Sequence, residues 1–310
     1  MRKIYIITAH KNPLQLNRLI SVLNDSNSFF YIHLDLKSDL DTFKSIISSP
    51  NIYFIPNRVD CIWADFSQVE ATLNLIDAVI ENGIICSSQV TFLSGQDYPI
   101  KDLKYINKFL FENYGTSYIT TESILKEDTG FLKKLYAYKI NKSSNKNDFI
   151  FFSNKNPLKS VLFFLAGKIN FDQLSIVLKK RVMPFAMEPF RGSNWWSMPI
   201  ETLVSIKDFV NENYIELKSF FQYVVSADEY FFQTILMYLY KNDSDIVIKS
   251  SLTYDNWLRE GVPLPVTFTV DDLDELVSQP DGKIFARKFD YDVDRNILDL
   301  LDSKYNLINK

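Results

Sequence analysis

Ile4-Tyr-Ile-Ile-Thr-Ala-His-Lys-Asn-Pro-Leu-Gln-Leu-Asn-Arg-Leu-Ile-Ser-Val-Leu23 changes its hydrophobic period partway along. Ile4 to Thr8 is a short apolar run, the signature of a buried strand. Asn12-Pro13 then offers an N-cap and a first helical residue. Leu16, Leu19, Ile20 and Leu23 follow at i, i+3, i+4 and i+7, which is one face of a helix. A strand feeding a loop and then an amphipathic helix is the opening unit of an α/β domain.

The same alternation continues. Phe29–Leu34 reads as a second strand ending at Asp35, a helix near Leu40–Ile47 leads to a strand at Ile52–Ile55, and Ser67-Gln-Val-Glu70 has capping-box spacing. Val69, Leu73, Ile76 and Ile80 stripe the helix it opens, and Gln89–Leu93 is a further strand running into Ser94-Gly-Gln-Asp-Tyr-Pro-Ile100. The expected fold is therefore α/β with a mostly parallel central sheet flanked by helices, and ligands bind such sheets at the carboxyl ends of the strands. His10, Asp35 and Ser94–Asp97 stand at those ends. Residues 131–190 break the pattern with Lys, Asn and Ser clusters and then a basic, aromatic stretch, Asn154 to Arg181. Order returns from Gly192 with a strand at Trp195–Met198, helices from Ile200 and near Asp228, a strand at Tyr254–Trp257 and a terminal helix.

Composition narrows the function. Of 310 residues, 46% are hydrophobic and 23% charged, so a large core is expected and disorder is not. The net charge of −4 argues against a nucleic-acid partner, which needs a basic footprint. Cys61 and Cys86 form no CxxC pair, so no zinc framework or disulfide scaffold is implied, which fits a reducing, cytoplasmic setting. No apolar run reaches transmembrane length.

Several residues can carry chemistry. Asp228-Glu229 opens a helix; Ser226-x-x-Glu229 fits a capping box, and a carboxylate fixed there can equally be a general base. Asp-x-Asp spacings recur at five places, none ending a core strand, so the spacing does not point to a metal. Asp290-Tyr-Asp-Val-Asp294 lacks the glycine and closing glutamate of a calcium loop. His10 and His33 read as hydrogen-bonded strand-end residues. Arg287-Lys288 is a surface pair or, facing the sheet edge, a holder for a diphosphate.

Seven motifs occur in one order: His10-Lys-Asn-Pro13, Tyr31-Ile-His-Leu-Asp35, Ser67-Gln-Val-Glu-Ala-Thr-Leu73, Leu93-Ser-Gly-Gln-Asp-Tyr-Pro-Ile100, Gly192-Ser-Asn-Trp-Trp196, Asp228-Glu-Tyr-Phe-Phe-Gln-Thr234 and Phe285-Ala-Arg-Lys-Phe-Asp290. Together they resemble the core-2/I-branching glycosyltransferases, the family of branching β-1,6-N-acetylglucosaminyltransferases and peptide O-xylosyltransferases, over roughly 3–125 and 187–305. The resemblance implies a GT-A-type nucleotide-sugar fold in one domain over 1–310, with a nucleotide-binding half (1–125), a variable acceptor-side insertion (126–190) and a catalytic, diphosphate-binding half (191–310).

It further implies an inverting, metal-independent transfer of a sugar, N-acetylglucosamine by family weight, from a UDP-sugar to a glycan hydroxyl. By this resemblance Glu229 is the general base. Ile7, His10, Asp35, Trp63, Arg259, Arg287 and Lys288 face the donor, and Asp97, Glu122, Trp195, Trp196, Asp228 and Trp257 face the acceptor. A bacterial, cytoplasmic member acting in surface or capsular polysaccharide synthesis is expected, with no cofactor, and with a lipid-linked acceptor if 154–181 lies on a membrane.

There are departures from the family pattern. The arginine that precedes the diphosphate lysine in vertebrate relatives has no counterpart in Leu264–Phe268, leaving Arg259 or Arg287 to substitute. Thr120, with Glu122 nearby, replaces the acceptor acid. The alternatives are a metal-dependent enzyme using UDP-xylose, UDP-glucose or UDP-galactose, and a non-catalytic glycan-binding module built on Trp195, Trp196 and Trp257.

Overall fold

A computed structural model describes the chain except for residues 84–86, 126, 153–156, 243–244 and 308–310. Cys86 and the first three residues of the basic stretch from Asn154 lie outside the described residues.

Strands β1 (Arg2–Ala9), β2 (Ser28–Leu34), β3 (Ile52–Phe54) and β4 (Ser88–Ser94) pair in parallel in the order β4-β1-β2-β3. The same sheet continues beyond β4 through β11 (Ser197–Pro199), β6 (Thr116–Tyr118) and β12 (Val247–Lys249), with β11 antiparallel to both of its neighbours. This is the mixed α/β architecture with a mostly parallel central sheet that the alternating pattern predicts. Period-2 geometry divides β1 between two cores. Ile4 and Ile6 join Tyr31, Phe92 and the helices Phe66–Glu81, Ile200–Glu212 and Phe231–Asn242 on one face. Tyr5 and Ile7 join Phe30, Leu93 and the helices Pro13–Leu23, Leu103–Glu112 and Asn296–Tyr305 on the other. Ile7 is thus fully buried among apolar side chains, and its expected place at the donor is corrected.

A second, three-stranded sheet joins β5 (Asp97–Pro99), β14 (Phe285–Arg287) and β13 (Thr253–Asp255). Its register sets Asp97, Arg287 and Asp255 side by side. A short pair, β7 (Glu122–Ser123) and β10 (Phe190–Arg191), lies between the halves in sequence.

Residues 131–190, whose Lys, Asn and Ser clusters break the strand–helix pattern, are more ordered where described than their composition implies. The segment holds a helix, Thr129–Tyr136, a hairpin of β8 (Tyr138–Asn141) and β9 (Phe149–Phe152), and helices Pro157–Leu165 and Phe171–Val177. The hairpin and the last two helices gather around a small core of their own, Tyr138, Ile140, Phe152, Ile169 and Val177, whereas Leu135 of the first helix joins the main core.

Helix caps differ from the pattern as well. Asp65, not Ser67, caps Phe66–Glu81, its carboxylate accepting from Ser67 N at 3.0 Å. Ser67 Oγ instead accepts from Ile62 N, and Glu70 pairs with Lys218. Lys139 and Asn141 from β8 hold Asp65 in place, so a partner remote in sequence decides the cap. Asn12 sits at the expected N-cap in a left-handed conformation without side-chain capping, and its amide donates to Asp290 at 3.1 Å.

Candidate functional site

The parallel strands bring Ala9-His10, Leu34-Asp35 and Ser94 to one edge of the sheet. Because β11 runs antiparallel to β4, the residues before it, Gly192 to Trp196, reach the same edge. Phe92 N donates to Trp196 O at 2.8 Å there. The Asp228-Glu229 turn is fastened to this strand, since Gly192 N donates to Glu229 O at 3.0 Å. Ser226 adopts a left-handed conformation and does not cap by its side chain, and a 3-10 turn Ala227–Glu229 precedes the helix at Phe231. The capping-box reading of Ser226 and Glu229 is therefore corrected: the Glu229 side chain does not close a cap.

Glu229 is partly exposed, and Asp228 lies buried beneath it. Burial lifts both carboxyls above the ordinary range, Glu229 further, and the charge of Asp228 adds to the effect on Glu229. Lys134 and Arg191 oppose that rise and Asp255 reinforces it, so these three stand around the glutamate. Asp228 Oδ1 has no hydrogen-bond partner and feels Arg287 and Lys139. Its burial takes it out of acceptor contact.

The approach of Gly192 to Thr120 is what holds this arrangement close. A Cβ on Gly192 would stand 1.8 Å from Thr120 O and 2.7 Å from its carbonyl carbon. Gly192→Ala must then push the strand edge outward and carry the Glu229 turn with it. We expect a destabilisation of about 1–3 kcal/mol or more, with turnover falling alongside it. A variant matching wild type in both melting temperature and turnover would show that the approach is not tight.

The residues expected at the donor lie at strand ends and in loops. His10 stands open at the end of β1, its ring held below the ordinary imidazole pKa by partial desolvation and then by Lys11 and Lys288, with Asp35 and Asp290 opposing. Asp35 is buried, its carboxylate accepting from Lys37 N at 2.9 Å and Cys61 N at 3.2 Å, so its oxygens order the neighbouring loop. His33 Nε2 accepts from Val59 N at 2.8 Å, as a hydrogen-bonded strand residue, and burial pushes its pKa down to about 4. Trp63 is 46% exposed, leaving ring surface for a ligand.

Lys288 is half-buried, its backbone pinned to the Val266–Phe268 segment. Burial and then Arg287 lower its pKa. The two arginines offered as substitutes for the missing one are committed elsewhere. Arg259 Nη2 lies 2.6 Å from both Asp272 and Glu275. Arg287 ion-pairs with fully buried Asp97 at 3.3 Å and lies 4.0 Å over Trp195. Burial raises Asp97 to about 6 even beside that arginine, and the residue is interior, not on the acceptor surface.

Of the residues expected at the acceptor, Glu122 and Trp257 are exposed. Trp257 is 51% exposed, with Nε1 donating to Asp255 at 3.1 Å. Glu122 pairs with Arg191 at 2.5 Å across β7 and β10. Trp195 and Trp196 are only 6% and 2% exposed and pack on Phe92, so neither offers a ring face to a sugar. Burial pushes the Cys61 thiol up to about 12, which makes it a poor nucleophile.

Three residues escaped the sequence reading. Asp255 ends β13 beside Arg287, a position legible only once the register is known. Lys146, in a polar loop without motif, lies 4.7 Å over the Trp63 ring and is felt by Lys288. Buried Lys139 donates at 2.8 Å to Ala64 O, which also accepts from Ser226 N. The hairpin β8–β9 is thereby tied to the Glu229 turn.

Residues 4–277 match the family model of the core-2/I-branching enzyme. A xylosyltransferase of Ciona intestinalis is 24% identical over 98% of this chain, which spans only 34% of that protein. A mouse β-1,3-galactosyl-O-glycosyl-glycoprotein β-1,6-N-acetylglucosaminyltransferase 4 is 30% identical over 31% of this chain and 22% of its own length. Among solved structures, mouse xyloside xylosyltransferase 1 gives a slight likeness, with TM-score 0.36 and 11% identity over 92% of this chain and 97% of that one.

Proposed function

We propose that this chain, which belongs to the core-2/I-branching enzyme family, is an inverting glycosyltransferase of GT-A type that uses a UDP-sugar without a metal. In this reading Glu229 takes the proton from an acceptor hydroxyl. That oxygen attacks the anomeric carbon as the bond to the diphosphate breaks, so UDP leaves from the opposite face and configuration inverts. The observation that carries the reading is Glu229 itself: a partly exposed carboxylate at the sheet's ligand-binding edge, with a raised pKa and a backbone anchored to Gly192. Charge growing on the leaving diphosphate needs a fixed cation, and in this reading Lys288 supplies it. Asp35, whose oxygens already serve the loop at 35–61, is poorly disposed to hold a metal as well.

The donor is N-acetylglucosamine or xylose bound to UDP. Xylose gains weight because the xylosyltransferase match runs along nearly the whole chain, whereas the N-acetylglucosaminyltransferase match covers under a third. A glycan-binding module loses weight, because two of its three tryptophans are core.

The test is a thermal-shift titration with UDP followed by a donor screen in EDTA. Binding to the native state should raise the melting temperature by mass action, and one UDP-sugar should release UDP with EDTA present. No shift at millimolar UDP would refute the enzyme reading, and strict Mn²⁺ dependence would replace it with a metal-dependent one.

A further inference from the structure

The helix Pro157–Leu165 is inside out. Leu158, Val161, Leu162 and Leu165 fall at i, i+3, i+4 and i+7, the spacing that normally marks a core-facing stripe. In the structure all four point to solvent, with Leu158 68%, Leu162 55% and Leu165 73% exposed, while Ser160 is the buried residue. The next helix, Phe171–Val177, places Phe171, 70% exposed, beside Phe164, and Leu178 and Val182 are also exposed. An outward apolar stripe of this kind marks an interaction surface.

Charge identifies what it meets. Residues 157–182 carry four lysines and one arginine against one aspartate, a local +4 in a chain whose total is −4. Arg181 turns inward, donating to the carbonyls of Ala137 and Phe220, so the earlier reading of it as part of a surface basic stretch is corrected. Lys159, Lys168, Lys179 and Lys180 remain exposed. Lys159 and Lys168 each lie over the Phe163 ring, at 5.4 and 5.0 Å. They and Lys142, itself ion-paired with Asp148 at 2.6 Å, line a recess with Phe149, Phe151 and Phe163. Exposed leucine and phenylalanine among lysines, next to an aromatic basic recess, match the boundary of a bilayer bearing anionic headgroups. In a two-fold contact a second copy of this chain would set the same lysines against these, so like charges would face one another.

We infer that the outward face of the helices Pro157–Leu165 and Phe171–Val177 docks on an anionic lipid bilayer. The leucines enter the interface and the lysines meet headgroup phosphates. Among the described residues no helix is long and apolar enough to cross a membrane, so the contact is peripheral. Through β8–β9, Lys139 and Ala64 the docked face connects to the Glu229 turn.

Vesicle flotation of the full chain tests this, with phosphatidylcholine alone and with phosphatidylglycerol added, at low and high salt. The protein should float with the anionic vesicles only, and less so at high salt. Leu162→Glu with Leu165→Glu should weaken the association by about tenfold per leucine. Lys179→Gln with Lys180→Gln should weaken it by about fivefold per lysine. Because all four side chains are exposed, melting temperature and UDP release should be unchanged in both variants. Three results would overturn the inference: no flotation of the wild type, equal flotation with neutral vesicles, or a wild-type dimer that the leucine variant turns into a monomer without any lipid association. None of them touches the transferase reading, which rests on Glu229.

Discussion

Glu229→Gln should abolish transfer while leaving UDP binding intact and making the folded chain more stable at alkaline pH. Loss of a general base costs about 10²–10⁴ in rate, and the amide keeps the size and partial polarity of the side chain, so the thermal shift with UDP should survive. The stability effect follows from the raised pKa of Glu229, partly desolvated and set beside buried Asp228. Below the ordinary glutamate range the carboxyl is protonated in both folded and unfolded chains, and wild type and variant should melt alike. As pH rises, the unfolded chain ionises first, while the folded chain must place a charge in a desolvated site beside Asp228. Wild type then loses stability that the variant keeps, and the gap in melting temperature widens up to and through the folded pKa. A merely structural glutamate could not produce both results. If the variant turns over like wild type, the proton acceptor lies elsewhere. If it melts lower at every pH, Glu229 contributes a contact that the geometry does not reveal.

Much of this site was legible in the sequence because it rests on local patterns. The run Ile4–Thr8, the stripe from Leu16 to Leu23 and the strand-end positions of His10 and Asp35 need only period and punctuation. The seven ordered motifs, through the resemblance they carry, point to Glu229 and Lys288 without any knowledge of register. What could not be read depends on partners distant in sequence. Asp65 displaced Ser67 as the cap because Lys139 and Asn141, more than seventy positions later, hold its carboxylate. Trp195 and Trp196 look like a sugar platform until β11 lays them on Phe92. Arg259 and Arg287 look like spare cations until Asp272, Glu275 and Asp97 take them. The helix Pro157–Leu165 has a helical period, but period alone does not say which way the stripe faces.

Lys288→Met should cost about 10²–10³ in kcat, the loss seen when one donor to a developing oxyanion is removed, and should weaken UDP binding as well. Apart from Lys146, the cations named around Lys288 are already paired. Lys11 is held by Asp290 at 2.6 Å, Lys37 by Asp35 and Asp60, Arg259 by Asp272 and Glu275, and Arg287 by Asp97. Among the described residues Lys288 forms no ion pair with a carboxylate, and its neighbours Arg287, Lys11 and Lys146 press its pKa down. A desolvated ammonium among other cations is stabilised by an anion, and a diphosphate supplies one.

The pH profile gives the sharper test. Transfer needs Glu229 ionised, so kcat/KM rises through its raised pKa; it also needs Lys288 protonated, so kcat/KM falls through its lowered one. The two limbs draw together into a narrow bell. Lys288→Arg keeps the charge but cannot lose its proton in this range, so it should retain more activity than Lys288→Met and should lose the alkaline limb. An alkaline limb that persists unchanged in Lys288→Arg would assign that ionisation to another group and would leave the diphosphate without its proposed cation.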